Sequence, residues 1–327
     1  MKLIVWLGLM LAGALVATEK ASAQARADDF PSRNITFLCP FPAGGGTDIL
    51  TRMLAQELQE KLGRTVIVEN RPGAGTIIAA QAAARAVADG HTIFLAPITT
   101  LAIAPNVHKS LPYDPIRDFQ PVGLVGSAQF ALVANRALGA ATLPDLIAQV
   151  RRSDGSMSFA SSGSSTPHRL FMEMLLKMTG TKAQHVAYRG SVAALTDVIS
   201  GQIPFMIVDL AVAMGAIAEG KVKAYGVTSA TRVNALPDLP TIAEAGVPGY
   251  GASGWFSVVA PAGTPAVVVD KLNAVLMSFL DKPAAQDRMN ALAITPMTST
   301  PDELRRFIPD EIAKWAKVVK GAGIVPE

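Results

Sequence analysis

Three loops rich in glycine or serine have the composition and position to bind an anion. The loops at 43–48, 70–76 and 161–167 each follow an apolar, strand-like run and precede a helical pattern. A helix N-terminus presents unpaired backbone N–H groups and a partial positive charge, and glycine lets a ligand approach the backbone closely. The sequence therefore predicts an anion-binding site that does not require an arginine.

The first loop leads into a regular helical pattern. A strand is predicted at 35–39, and after the glycines at 44–46 apolar residues recur at helical spacing, namely at Leu50, Met53, Leu54, Leu58 and Leu62. We expect Thr47 or Asp48 to cap this helix and Gly63 to end it. Asp48 has a second interpretation, as a cavity wall that accepts a hydrogen bond from an amino or hydroxyl group of a ligand.

Further polar residues stand at the predicted ends of strands or starts of helices, and each has two interpretations. His168 either donates to a ligand or packs locally near the start of its helix. Tyr188 and Arg189 precede Gly190 and either face a cleft or belong to an ordinary loop. Asp209 follows a strand and is either a helix cap or a polar group in the pocket. Strand ends of this kind feed the ligand crevice of α/β folds.

Motifs for catalysis and cofactors are incomplete in this chain. Ile49 stands where a dinucleotide fingerprint needs its third glycine, and no glycine pair precedes Lys-Ser or Lys-Thr. No G-x-S-x-G elbow occurs, and the histidines lack metal-ligand spacing. We therefore predict no enzyme activity, no cofactor and no metal. A secreted hydrolase using Ser165 and His168 is the remote alternative.

Composition and the first residues indicate an exported, folded protein. Of 327 residues 50% are apolar and 17% charged, which excludes a disordered chain, and the net charge of +3 without a basic aromatic stripe argues against nucleic acid. Lys2, the apolar run at 3–16 and the A-x-A pattern at 21–23 predict a signal peptide over 1–23, cut after Ala23. The run is shorter than the roughly 20 residues of a membrane anchor. We expect a periplasmic location.

Short apolar runs alternate with helical periods, which is typical of α/β folds. One set precedes a long extended segment at 122–133, and a second set follows it, beginning with a helix capped by Thr142. Extended segments near 122–130 and 248–256 predict that the chain crosses twice between two lobes. The predicted lobes are 24–126 with 251–327, and 127–250.

Eight ordered segments resemble one family over essentially the whole mature sequence. The chain is similar to the Bug-type periplasmic solute-binding receptors of tripartite tricarboxylate transporters. The matching segments are PFPAGGGTD (40–48), VIVENRPGAG (66–75), LPYDPIRDF (111–119), FASSGSSTPH (159–168), HVAYRG (185–190), ALTDVISGQI (194–203), LPDLPTIAEAG (236–246) and APAGTP (260–265). The resemblance implies a type II periplasmic-binding-protein fold, in which two α/β lobes close on a small carboxylate.

The resemblance also implies a set of ligand contacts made by backbone N–H groups, hydroxyls and ordered water. The proximal contacts would be Phe41, Gly45, Gly46, Thr47, Asp48, Ala74 and Gly75, and a loop that often supplies a hydroxyl holds Thr99 and Thr100. The distal contacts would be Ser161, Ser162, Thr166, His168, Tyr188, Gly190 and Asp209. Arg189, which stands where the family commonly has lysine, would either hold a second carboxylate or point to solvent. Val208-Asp209 replaces the usual Asp-Asn, and Pro204 the usual aspartate.

The function implied is capture of a small organic carboxylate and its delivery to the membrane subunits of the transporter. A di- or tricarboxylate, an acidic amino acid or an aromatic acid would fit, and the receptor would act as a monomer. The alternative is a binding protein that reports ligand occupancy to a signalling partner.

Overall fold

The computed structural model describes residues 29–326 of the chain. The predicted signal peptide at 1–23 and the predicted cut after Ala23 lie outside the described residues. Within 29–326 strands and helices alternate, which confirms the predicted α/β class.

The element bounds follow the apolar patterns closely. The strands are β1 (Ile35–Cys39), β2 (Val66–Asn70), β3 (Thr92–Pro97), β4 (Phe119–Ala128), β5 (Phe130–Asn135), β6 (Ser158–Ser161), β7 (Gln184–Ala187), β8 (Phe205–Asp209), β9 (Val222–Val227), β10 (Gly254–Pro261) and β11 (Ile294–Thr295). The longer helices are α1 (Gly46–Leu62), α2 (Ile77–Ala84), α3 (Leu143–Arg152), α4 (Pro167–Thr179), α5 (Ser191–Ser200), α6 (Leu210–Ala218), α7 (Ala266–Leu280), α8 (Pro283–Ala291) and α9 (Pro301–Gly321). Short helical segments occupy Ala74–Thr76, Thr99–Ile103 and Ala104–Val107.

Two sheets organise these elements. One has six strands in the order β11-β4-β10-β3-β1-β2, and the other five in the order β7-β6-β8-β5-β9. In the first sheet β1 runs parallel to β2 and β3, and β10 lies antiparallel between β3 and β4. In the second sheet β6 runs parallel to β7 and β8, and β5 is antiparallel to β8 and β9. The arrangement confirms the two-lobed periplasmic-binding-protein fold.

The chain changes sheet twice, as predicted. The extended segment predicted at 122–133 is two strands, because β4 ends at Ala128 in the first sheet and β5 begins at Phe130 in the second. Gln129 alone joins them. The chain returns to the first sheet between β9 and β10. The lobe bounds at 126/127 and 250/251 stay predictions.

Local capping explains where several helices begin and end. Gly63 ends α1 in the left-handed conformation at φ 69°, as predicted. Thr142 caps α3 in a reciprocal capping box with Asp145. Helix α2 ends at Ala84, and Val87 in the following turn is 70% exposed.

The last helix packs against both lobes. In α9, Trp315 is fully buried and stacks on Phe171 of α4, with ring centroids 5.3 Å apart. Its indole N–H donates to Glu311, which also accepts from Trp255 of β10. One continuous hydrophobic core therefore runs from the first sheet through α9 into the second lobe.

Candidate functional site

The carboxyl ends of strands from both sheets meet at a cavity of about 390 Å³. Its wall contains the starts of α1 and α2 from one lobe and of α4, α5 and α6 from the other. The lining residues are Phe41, Thr47, Gly75, Thr76, Pro97, Ile98, Thr99, Ala128, Phe130, Ser162, Thr166, Pro167, His168, Gly190, Ser191, Asp209, Gly254, Trp255 and Phe256. Two larger depressions, of about 520 and 490 Å³, each lie on one lobe and contain none of the predicted site residues.

The structure brings nine of the predicted site residues into this wall. These are Phe41, Thr47, Gly75, Thr99, Ser162, Thr166, His168, Gly190 and Asp209. The other eight lie outside it, namely Gly45, Gly46, Asp48, Ala74, Thr100, Ser161, Tyr188 and Arg189. Phe41 and Asp209, which are 168 positions apart in the sequence, therefore share one cavity, as the convergence of strand ends requires.

The predicted cap of α1 is wrong. The N-cap residue is Gly45, with neither Thr47 nor Asp48 supplying a side-chain cap. The carboxylate of Asp48 instead accepts hydrogen bonds from the Gly44 N–H at 2.9 Å, the Arg52 guanidinium at 3.0 Å and the Asn70 amide at 2.9 Å. Asp48 therefore ties the glycine loop to α1 and β2.

These donors also set the charge of Asp48. Burial opposes ionisation of this carboxyl, but Arg52, the Gly44 N–H and Asn70 outweigh it and hold the pKa of Asp48 below its usual range. The side chain is 4% exposed. Its oxygens are used by the protein itself, so Asp48 supports the loop from behind the cavity wall.

The second loop is held in an unusual backbone conformation. Ala74, Gly75 and Thr76 have φ of 46°, 59° and 82°, and a β-branched residue such as threonine rarely adopts a positive φ. The Thr76 hydroxyl bonds to the buried Thr100 hydroxyl at 2.7 Å, and Tyr113 donates to the Thr100 carbonyl. These contacts hold Gly75 and Thr76 at the cavity, and Thr76 joins the wall although it is not among the predicted site residues.

The second lobe contributes a linked chain of polar side chains. His168 Nδ1 bonds to the Ser162 hydroxyl at 2.8 Å, and its Nε2 bonds to Asp209 Oδ2 at 2.8 Å. The Ser191 hydroxyl donates to the same oxygen of Asp209. Phe130 packs edge-on against the His168 ring, with centroids 5.2 Å apart. His168 thus both packs locally and orients groups in the wall.

Asp209 occupies the N-cap position of α6 but makes no side-chain cap bond. Burial opposes its ionisation, but the charge and hydrogen bond of His168 and the Ser191 hydroxyl outweigh burial and lower the pKa of Asp209. About a third of its side chain, 34%, remains exposed in the cavity. An ionised carboxylate that only accepts hydrogen bonds therefore stands in the wall.

Three of the predicted distal residues do not reach the cavity wall. Tyr188 donates to Asp197 at 2.6 Å, and burial together with this carboxylate raises the pKa of Tyr188 to about 12. The Ser161 hydroxyl bonds to the Gly163 carbonyl and to His185. Arg189 is exposed and lies outside the wall.

Apolar residues from the crossing strands, which the sequence patterns do not mark as site residues, complete the wall. Phe130 follows Gln129 in β5, and Trp255 and Phe256 begin β10. Their signal was only their position in the predicted crossing segments, because an apolar strand residue in a cavity wall resembles one in the core. No lysine or arginine is among the residues that line this cavity.

Other kinds of site lack support in the described residues. Between 29 and 326 no three histidine, cysteine or acidic side chains are grouped so as to hold a metal ion. Cys39 is buried, and burial raises the pKa of its thiol. None of the helices in that range combines the length and apolar character needed to cross a membrane.

Comparison with known proteins identifies the family. The family model described as "Tripartite tricarboxylate transporter family receptor" matches residues 50–324. BugT of Bordetella pertussis is 36% identical over 316 residues, which cover 96% of this chain and 97% of BugT.

Two solved structures share both fold and sequence with the chain. An R. palustris protein with adipate has a TM-score of 0.82 and 34% identity, covering 91% of this chain and 100% of its own. MatC from Rhodopseudomonas palustris with bound malate has a TM-score of 0.77 and 31% identity, covering 89% and 100%. The chain belongs to the receptor family of the tripartite tricarboxylate transporters.

Proposed function

We propose that this protein is a periplasmic receptor that captures a small organic carboxylate in the cavity between its lobes. It delivers the ligand to the membrane subunits of a tripartite transporter. One observation carries the proposal: helix N-termini from both lobes converge on one cavity whose wall has no lysine or arginine. Such N-termini offer N–H donors and a partial positive charge to an anion.

The size of the cavity and the solved relatives support the same ligand class. A volume of about 390 Å³ is within the usual range for small-molecule sites. The two solved relatives hold adipate and malate, which are both small carboxylates. Delivery by lobe closure suits a chain whose lobes join through two crossing segments. In this proposal the receptor acts as a monomer and releases its ligand chemically unchanged.

A ligand screen by thermal unfolding tests this function. A ligand that binds only the folded state raises the melting temperature. We expect at least one compound among mono-, di- and tricarboxylates, amino acids and aromatic acids to do so in a concentration-dependent way. If none stabilises the protein, and mass spectrometry of gently purified protein finds no bound acid, the proposal fails.

The hydrogen bonds that link Ser162, His168 and Asp209 favour one further candidate function, that of a secreted hydrolase. It involves Ser162 and not Ser165, the serine predicted for a hydrolase from the sequence. We expect no turnover of nitrophenyl esters above the background rate of the buffer. Turnover that disappears in Ser162→Ala, while Ser165→Ala retains it, would instead establish catalysis.

A further inference from the structure

The two ends of the cavity differ in the hydrogen bonds they can offer a ligand. At the first lobe the wall holds Thr47 at the start of α1, Gly75 and Thr76 before α2, and Thr99. The nearby carboxylate of Asp48 accepts hydrogen bonds from three donors of the protein itself and does not line the cavity. This end therefore presents N–H and hydroxyl donors, which suit a carboxylate.

At the second lobe a carboxylate, that of Asp209, stands in the wall among the helix starts. Within residues 29–326 both side-chain donors to Asp209, namely His168 and Ser191, bond to its Oδ2. With about a third of the side chain exposed, Oδ1 is the oxygen left to accept from a ligand. An ionised carboxylate has no proton to donate, so this position requires a donor.

The side chains that contact Asp209 do not change that requirement. Both ring nitrogens of His168 are used, one by Ser162 and one by Asp209, and the hydroxyl proton of Ser191 points to Asp209. Neither ring nitrogen is therefore free to bind a ligand anion. No lysine or arginine in the wall could hold a second carboxylate beside Asp209.

Apolar residues surround the space between the two ends. Ala128 and Phe130 flank the first crossing of the chain, and Trp255 lies near the second. These side chains favour an apolar body in the ligand, because water is displaced from them on binding.

We propose that the ligand is a small monocarboxylate with an apolar body and, at its far end, an ammonium or hydroxyl group that donates to Asp209. This inference rests on the proposed function. It also predicts discrimination against dicarboxylates, since like charges brought together at a desolvated site are strongly disfavoured.

Isothermal titration of the mature protein with matched acids tests the ligand class. For each chain length from four to eight carbons, four compounds are compared: the dicarboxylate, the monocarboxylate, and the monocarboxylates with a terminal ammonium or hydroxyl. An aromatic set pairs terephthalate with aminomethyl- and hydroxybenzoate. At lengths that bind, we expect the donor-bearing acid to bind at least about tenfold more tightly than the dicarboxylate. Tighter binding of the dicarboxylate would overturn the inference.

The variant Asp209→Asn tests the residue. It should weaken binding of the ammonium acid at least about tenfold and strengthen binding of the dicarboxylate, because the negative charge is removed. The control is Asp287→Asn, at an exposed position on α8, which should change neither affinity. An unchanged preference in Asp209→Asn would contradict the assignment. If that variant does not fold, the relative affinities of the wild-type protein for the donor-bearing acids and the dicarboxylates decide whether the inference holds.

The two failures can be told apart. Absence of binding by every acid, together with the failed thermal screen, removes the proposed function. Binding that favours dicarboxylates leaves the receptor function intact and removes only the ligand class inferred here.

Discussion

Two aspartates near the cavity show how residue partners decide a role. Asp48 and Asp209 each follow a predicted strand or glycine loop, and for both the sequence allowed a cap or a cavity role. Asp48 is satisfied by Arg52 and Asn70, whereas both side-chain donors to Asp209 bond to one of its oxygens and about a third of its side chain is exposed. The partners come from other elements, so local sequence could not separate the two roles.

Asp48→Asn should destabilise the protein at neutral pH by about 1–3 kcal/mol, because a buried carboxylate loses charge-assisted hydrogen bonds. The pKa of Asp48 is lower in the folded than in the unfolded state. Its contribution is therefore present above the unfolded pKa of about 3.9 and disappears as pH falls through the folded pKa. Urea unfolding of wild type and variant, at pH 7 and in acid, measures the difference. If the difference in the free energy of unfolding between wild type and variant is the same at pH 7 and in acid, this account is contradicted.

Two adjacent threonines should separate binding from stability. Thr99 lines the cavity, while the fully buried Thr100 bonds to Thr76. Thr100→Val should lower the free energy of unfolding by about 1–3 kcal/mol, since the Thr76 hydroxyl loses its partner. Thr99→Val should leave stability within about 0.5 kcal/mol and weaken carboxylate binding. Thermal unfolding measures the effect on stability, and titration calorimetry measures the effect on binding. If Thr99→Val lowered stability and left binding unchanged, the ligand would lie elsewhere.

At the scale of elements, the sequence predicts correctly those helix ends that are determined by hydrogen bonds within one helical turn. Gly63 ends α1 and Thr142 caps α3, because both signals act within one helical turn. The predicted cap of α1 was wrong because the Asp48 carboxylate accepts hydrogen bonds from the Gly44 N–H and the Asn70 amide and does not cap its own helix. The break at Gln129 was missed because no proline or Asn-Gly turn pair marks it, and only the pairing partners of β4 and β5 reveal it.

Helix α9 gives a prediction at this scale. Trp315→Ala should cost about 3–5 kcal/mol, because a fully buried indole that stacks on Phe171 leaves a cavity between the lobes. The matched control is Lys317→Ala, on the exposed face of the same helix, which should change stability by less than about 0.5 kcal/mol. Chemical denaturation measures both. A small loss in Trp315→Ala would mean that α9 does not join the lobes energetically.

For the whole molecule, the resemblance predicted the two lobes and the cavity between them. The glycine and serine loops marked its polar wall, since strand ends and helix starts can be read from composition. The apolar wall of Phe130, Trp255 and Phe256 could not be separated from the core, because only the relative position of the two sheets exposes these side chains.

The central claim concerns how the whole molecule holds its ligand: a carboxylate bound by helix N-termini between two lobes, without a cationic side chain. A crystal structure of the protein with the tightest-binding acid from the thermal screen tests this most directly. We predict the carboxylate oxygens at hydrogen-bond distance, about 2.7–3.2 Å, from backbone N–H groups at the starts of α1 or α2. A carboxylate paired with lysine or arginine, or bound outside this cavity, would contradict the account.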